Sequence, residues 1–538
     1  LTDKDKTQIL ALRDEAKKGF DKHRTDFQTL ESGLLSIIDE GKRTSLKLRR
    51  KSTLNPQLIK PKVDSVTRDI MRSFFGQGQL AEIQPESPDD ERDVKISEIL
   101  SMELKDFSRD EKLYFRVKPI IKNALTYGTV VTKVYYDTKS EKVKVEKCRL
   151  NEVYLDSKAA GPFDIKYLVH RIDSMTISEL KSAYPKHKAK IDWTSYVGDT
   201  LEVAKDELED DDIGDYQRVE IVEVYRLKGK NWYVSTLIGD EFLRDDVLLR
   251  DGLPFIVSPV EEQFVLMDET PVRAYGDPFI APLIPIQEEY VIRRNQTIDA
   301  IDLQLNPRII TTPHSGLRDE DLNSNRKKLV VDEMGNFEVL PAPTISEALL
   351  DTSLLDQEAE AISGVSKYSQ GVSTDQNKSK TKGEAMILDA RSSAVVDDLT
   401  RAINETFFRP LIVRIINLTY KYKPSGNFAG TDRTKPLRQK IIIDVGMGSS
   451  NKEVQIQNVD SAIETITARM GMLQPMGMMP DGATPIPNDR VPMYDAILDE
   501  LVKEKLKLLG KNSIVETMEE HEKMREEAQS QTQGGINV

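Results

Sequence analysis

Few residues in this chain are spaced for covalent or metal chemistry. Gly446, Met447, Gly448, Ser449 and Ser450 lie between a strand-like and a helical stretch, where a phosphate cradle would sit. A nucleotide-binding loop needs Lys and then Ser or Thr after its second glycine, and a dinucleotide fingerprint needs a third glycine where Asn451 stands. A tight turn is therefore the reading. His23, His170, His187, His314 and His521 show no pair spacing and join no zinc motif. Asp210, Asp212 and Gly214 have the wrong carboxylate order for a calcium loop, leaving at most a weak divalent site in a solvated acidic run. Cys148 is the single cysteine, so an intrachain disulfide is excluded, and no base accompanies it. No Gly-x-Ser-x-Gly element occurs. The expectation is a protein without catalytic residues, metal or cofactor.

One cluster could act on a polyanion. Lys367, Lys378, Lys380 and Lys382 sit among Ser, Thr, Gln, Asn and Gly between residues 363 and 383, a stretch too polar to bury. Such lysines can touch phosphates without reading bases, or simply solubilise a loop.

The flanking elements must position that loop. Ile286, Tyr290, Ile298, Ile301 and Leu305 recur at helical spacing and predict one apolar face, with Asn306 and Pro307 as the stop. Thr344 to Glu347 form a capping-box pattern that starts a second helix, and Gly364 ends it. Between the two helices, 308–312, 328–331 and 336–340 read as strands, and 316–322 as a short helix. Beyond the loop, Leu399, Ile403, Phe407, Leu411 and Ile415 mark a helix from near Lys382 to near Tyr422. Pro410 lies inside it, removes a donor and crowds the carbonyl of Thr406, so a kink or break is expected there.

Upstream, the pattern predicts a helix or helix pair over 6–41, a helix over 59–75 and another over 93–127 stopped by Gly128. A hairpin follows at 130–136 and 142–146, then strands at 165–172, 218–227, 232–238 and 254–259. Residues 440–445 read as a strand and the tail after Tyr494 as helical. The fold class expected is α+β, mainly helical.

The chain has 538 residues, 38% hydrophobic and 31% charged, with a formal net charge of −14. That balance argues against a sequence-specific DNA binder with a basic footprint, while an acidic wall can guide a duplex without gripping it. No apolar run is long enough for a membrane span, and Arg414 breaks the stretch from Leu411 to Leu418. A soluble protein of a reducing compartment is expected, and the first residues resemble no signal or transit peptide.

Several motifs in order carry a family resemblance: Ala124 to Asp137 (ALTYGTVVTKVYYD), Asn151 to Asp156 (NEVYLD), Tyr275 to Pro278 leading to Gln287 and Arg293 to Asn295, and Gly364 to Gly371 (GVSKYSQG). With them the chain resembles the portal proteins of tailed double-stranded DNA bacteriophages. The resemblance implies a homo-oligomeric ring, commonly of twelve subunits, at a capsid vertex of the virion, assembled in the host cytoplasm. It implies a wing (1–278), a stem helix (279–305), a clip (306–343), a second stem helix (344–363), a channel or tunnel loop (364–383), a kinked channel helix (384–423) and a crown (424–538). The loop lysines would then contact double-stranded DNA non-specifically, and Arg308, His314, Arg318, Asp319, Glu320, Asp321 and Arg326 would dock the terminase large subunit and later a head-to-tail adaptor. Major capsid and scaffolding proteins are further implied partners, with no membrane. The rival readings are a head-to-tail adaptor or other ring-forming virion protein, against which the length counts, and a cytoplasmic hydrolase or nucleotide-dependent enzyme.

Overall fold

The computed structural model describes residues 2–48, 51–76, 80–87, 90–187, 217–263, 272–307, 309–311, 337–341, 346–365, 394–423, 428, 437, 439–442, 449–471, 477–478, 485–486 and 491–508. It is a mixed helix and strand protein. The acidic run 206–212 with Gly214, the expected strand 328–331 and short helix 316–322, Gly446 to Gly448, His314, His521 and the tail after 508 lie outside the described residues.

The N-terminal pattern forms two helices, α1 (Asp3–Leu35) and α2 (Glu40–Leu48). A capping box between Thr2 and Asp5 satisfies two orphan amides at the start of α1. Next come α3 (Ile59–Phe75) and a short strand β1 (Glu82–Pro85), which the sequence pattern does not announce.

The single helix expected over 93–127 is two, α4 (Glu91–Asp110) and α5 (Leu113–Tyr127), broken where Lys112 turns left-handed at φ 51°. The reason is geometric. In one continuous helix Leu104 and Leu113 would point about 180° apart at 3.6 residues per turn. The break lets both enter the same core, with 4% and 1% exposure.

Two antiparallel sheets follow. The strands β2 (Thr129–Asp137), β3 (Lys142–Cys148), β4 (Val153–Leu155), β5 (Tyr167–Ile172), β6 (Ile221–Lys228), β7 (Asn231–Ile238), β8 (Glu241–Leu249) and β9 (Phe255–Pro259) divide into orders β3-β2-β9 and β4-β5-β6-β7-β8. A short helix, α6 (Ile177–Ala183), caps one end of the larger sheet through Ile177 and Leu180.

The central helices are α7 (Ile284–Leu305) and α8 (Ser346–Ser363), which pack on each other. Between them β10 (Ile309–Thr311) pairs antiparallel with β11 (Phe337–Val339), the first and third of the expected strands. Gly364 ends α8 at φ 65°, a conformation glycine adopts without steric cost.

Residues 394–422 are helical, with a π turn at Asn404–Phe408 leading into α9 (Arg409–Tyr422). The strand β12 (Gln439–Ile442) pairs with β1, so the C-terminal third is tied back to the N-terminal helices. The helices α10 (Ser449–Gly471) and α11 (Val491–Leu508) pack together.

The face predicted for α7 is corrected. Ile286 is buried, but Ile301 and Leu305 are 38% and 75% exposed, while the polar Gln287, Asn295 and Thr297 are buried. Periodicity finds apolar stripes, and here the buried stripe is held by amide hydrogen bonds instead.

Candidate functional site

Of the site residues expected from sequence, only Pro410 lies within the described residues. Lys367, Lys378, Lys380 and Lys382, and Arg308, His314, Arg318, Asp319, Glu320, Asp321 and Arg326, lie outside them. What the structure does describe is the framework holding both ends of the loop and the base of the insert.

The first joint fixes α7. Gln287 Oε1 accepts from the backbone N–H groups of Leu58 at 2.7 Å and Ile59 at 3.1 Å, and its Nε2 donates to the Pro56 carbonyl at 2.8 Å. A side chain from a distant helix thus caps the start of α3, whose own Leu58 offers no capping oxygen. Two turns on, Asn295 Oδ1 accepts from the Leu54 N–H at 2.8 Å and from Ser52 Oγ at 2.6 Å, while its Nδ2 donates to the Leu54 carbonyl at 2.9 Å. Buried amides with donors and acceptors both used fix register as apolar contacts cannot.

The second joint is a crossing of two glycines. Gly128 ends α5 at φ 73°, and a Cβ there would stand 2.3 Å from the Gly276 carbonyl oxygen. A Cβ on Gly276 would stand 2.3 Å from the Glu261 carbonyl oxygen, so only glycine fits either position. The Gly276 N–H donates to Thr129 Oγ1 at 2.7 Å and the Val260 N–H to the Gly128 carbonyl at 2.8 Å, which locks the approach to α7 onto the smaller sheet.

The third joint is at the exit of α8. Lys62, 2% exposed on α3, donates from Nζ to the Val365 carbonyl at 2.9 Å. Ser363 Oγ donates to the Ala359 carbonyl and accepts from the Val365 N–H. The chain therefore enters the expected loop from a fixed point.

On the far side of the loop, Asp251 holds α9. Its carboxylate accepts from Lys421 Nζ at 2.5 Å and from the Tyr422 hydroxyl at 2.6 Å, and its carbonyl accepts from Arg414 at 2.6 Å. Burial works against its charge, yet these donors hold the Asp251 carboxyl below the usual range. Burial likewise lowers Arg414, the residue that interrupts the apolar run.

The sheets carry a largely buried ionic centre around Glu223. Glu223 Oε2 accepts from Lys133 Nζ at 3.1 Å and Tyr225 OH at 2.7 Å, and lies 3.1 Å from His170 Nδ1. Burial alone would raise Glu223, but the His170 hydrogen bond and the Lys133 charge bring it down to about 2. Nearby Cys148 is buried, and burial pushes its thiol up to about 12, which makes it a poor nucleophile. Among the described residues no group of three or more His, Cys, Asp or Glu is placed to hold a metal ion, and no helix is long and apolar enough to cross a membrane.

These joints have a structural character: they position helices. Four residues of the sequence motifs, Gly128, Gly276, Gln287 and Asn295, make the first two of these joints. The family model described as the phage SU10 portal protein matches residues 138–483, more than half of the chain, and the chain belongs to that family of phage portal proteins. A comparison with curated proteins finds no match. Sequence reasoning missed Lys62 and Asp251 as residues that hold these helices, because a lone Lys or Asp carries no pattern.

Proposed function

We propose that the chain assembles into a homo-oligomeric ring at one capsid vertex, through which double-stranded DNA is packaged and later ejected. The observation that carries this reading is the portal family match spanning residues 138–483. In it, residues 1–278 form the wing, 279–305 and 344–363 the stem, 306–343 the clip, 364–383 the channel loop, 384–423 the channel helix and 424–538 the crown. Twelve is the subunit number the resemblance implies.

One feature supports self-association. The helices α7 and α8 expose Ile292, Ile301, Leu305, Leu354 and Ile362, between 38% and 75%, although they already pack on each other. Helices apolar on more than one face need a further partner, and in a ring each subunit has two. The wall remains acidic, with a net charge of −14 per chain, so the duplex slides without sticking. The loop lysines supply a local collar of weak phosphate contacts.

Force for packaging comes from an ATP-driven terminase that docks on the clip, where a head-to-tail adaptor later replaces it. Negative-stain imaging of the purified chain tests the reading. Rings with a hole wide enough for duplex DNA are expected, and a persistent monomer under assembly conditions overturns it.

A further inference from the structure

Inside residues 394–422 the helix changes register. The buried apolar stripe enters the π turn from Ile403, includes both Phe407 and Phe408 within it, and leaves through Leu411, Ile412, Ile415 and Ile416. Neighbours 407 and 408 would point about 100° apart in an α-helix, yet both are 1% exposed. The wide turn inserts the extra residue that lets both face the core, and the Phe408 ring stacks on Phe74 with centroids 3.6 Å apart.

Such a turn leaves backbone acceptors to be satisfied. Pro410 has no N–H, so it cannot donate to the Thr406 carbonyl four residues back. Ser258, 2% exposed in β9 and opposite Val130 of β2, donates from Oγ to that carbonyl at 2.9 Å. The donor comes from outside the helix, from the sheet.

We infer that Ser258 is a positioning residue: by replacing the donor that Pro410 removes, it pins the π turn to the β3-β2-β9 sheet and sets where residues 394–403 start relative to α9. In the reading of 384–423 as the channel helix, on which this functional consequence rests, the wing sheet then fixes the direction of the helix that follows the lysine loop.

The test is a double-mutant cycle on the full purified chain, with hydrogen exchange of the amides in 403–412 as readout. Ser258→Ala removes the sheet donor to the Thr406 carbonyl and speeds exchange there by about fivefold, the effect of losing one such bond. Pro410→Ala restores an N–H at 410, so adding Ser258→Ala to it produces less than half of that acceleration. Equal acceleration in both backgrounds, or none in either, overturns the inference. If Ser258→Ala alone does not fold, recovery of folding in the double variant supports the coupling, and failure in both refutes it. Should the cycle hold while packaging by Ser258→Ala particles stays normal, the channel-helix reading falls and the Ser258–Pro410 coupling stands.

Discussion

The Lys62 ammonium donates to the Val365 carbonyl at 2.9 Å, joining α3 to the exit of α8 across 303 residues of chain. An ammonium this far inside is retained only with hydrogen-bond partners, because desolvating a charge is costly. Lys62→Met keeps the stem length and loses the charged donor. The expected cost is about 1.5–3 kcal/mol in denaturant unfolding, with faster hydrogen exchange at 359–365 than elsewhere in α8. An unchanged midpoint would show that the contact contributes nothing.

The crossing of Gly128 and Gly276 predicts a sharp intolerance. Gly128→Ala demands both a left-handed alanine and a Cβ 2.3 Å from a backbone oxygen that cannot swing aside. Loss above ~1 kcal/mol from the backbone conformation alone is expected, with more from the collision, and the variant should accumulate as insoluble protein. Gly229, at φ 63° with nothing within 4 Å of its added Cβ, is the control: Gly229→Ala should remain soluble.

The Glu223 centre predicts acid sensitivity with a definite sign. Its folded pKa lies below the ordinary value of 4.5, at about 2, so its contribution is fully present above pH 4.5 and disappears as pH falls toward 2. Thermal midpoints of the wild type should drop across that window. Glu223→Gln should flatten the drop while costing about 3 kcal/mol at pH 7, since Lys133, only 16% exposed, is left without its carboxylate. A pH profile parallel to wild type would remove Glu223 as the source.

The loop lysines give the functional prediction. Changing Lys378, Lys380 and Lys382 together to Ala should leave ring assembly intact by negative-stain imaging and impair DNA packaging or retention in particles. A twelvefold ring loses thirty-six charges on this reading, roughly three for each subunit, so the effect should also weaken as salt is raised in the wild type. Normal packaging by the triple variant would return these residues to a solubilising role.

The local elements were legible in the sequence where the code is local. The helix over 59–75, the hairpin around Asp137 to Ser140 and the Gly364 stop depend on periodicity, turn residues and a positive φ, all set within a few positions. The π turn had a signal too, the one-residue slip of the apolar stripe at Phe407 and Phe408, and Pro410 marked the region.

What the sequence by itself determined was a mixture of helices and strands, many of the longer elements and the family. Only the tertiary structure decided which partner each buried polar group has: Gln287 with the start of α3, Lys62 with Val365, Ser258 with Thr406, β1 with β12. Hydrogen-bond partners hundreds of residues apart leave no period in the chain, because their pairing is imposed by packing. The exposed Ile301 and Leu305 have the same origin, since helical spacing predicts a face and packing alone decides whether that face is covered.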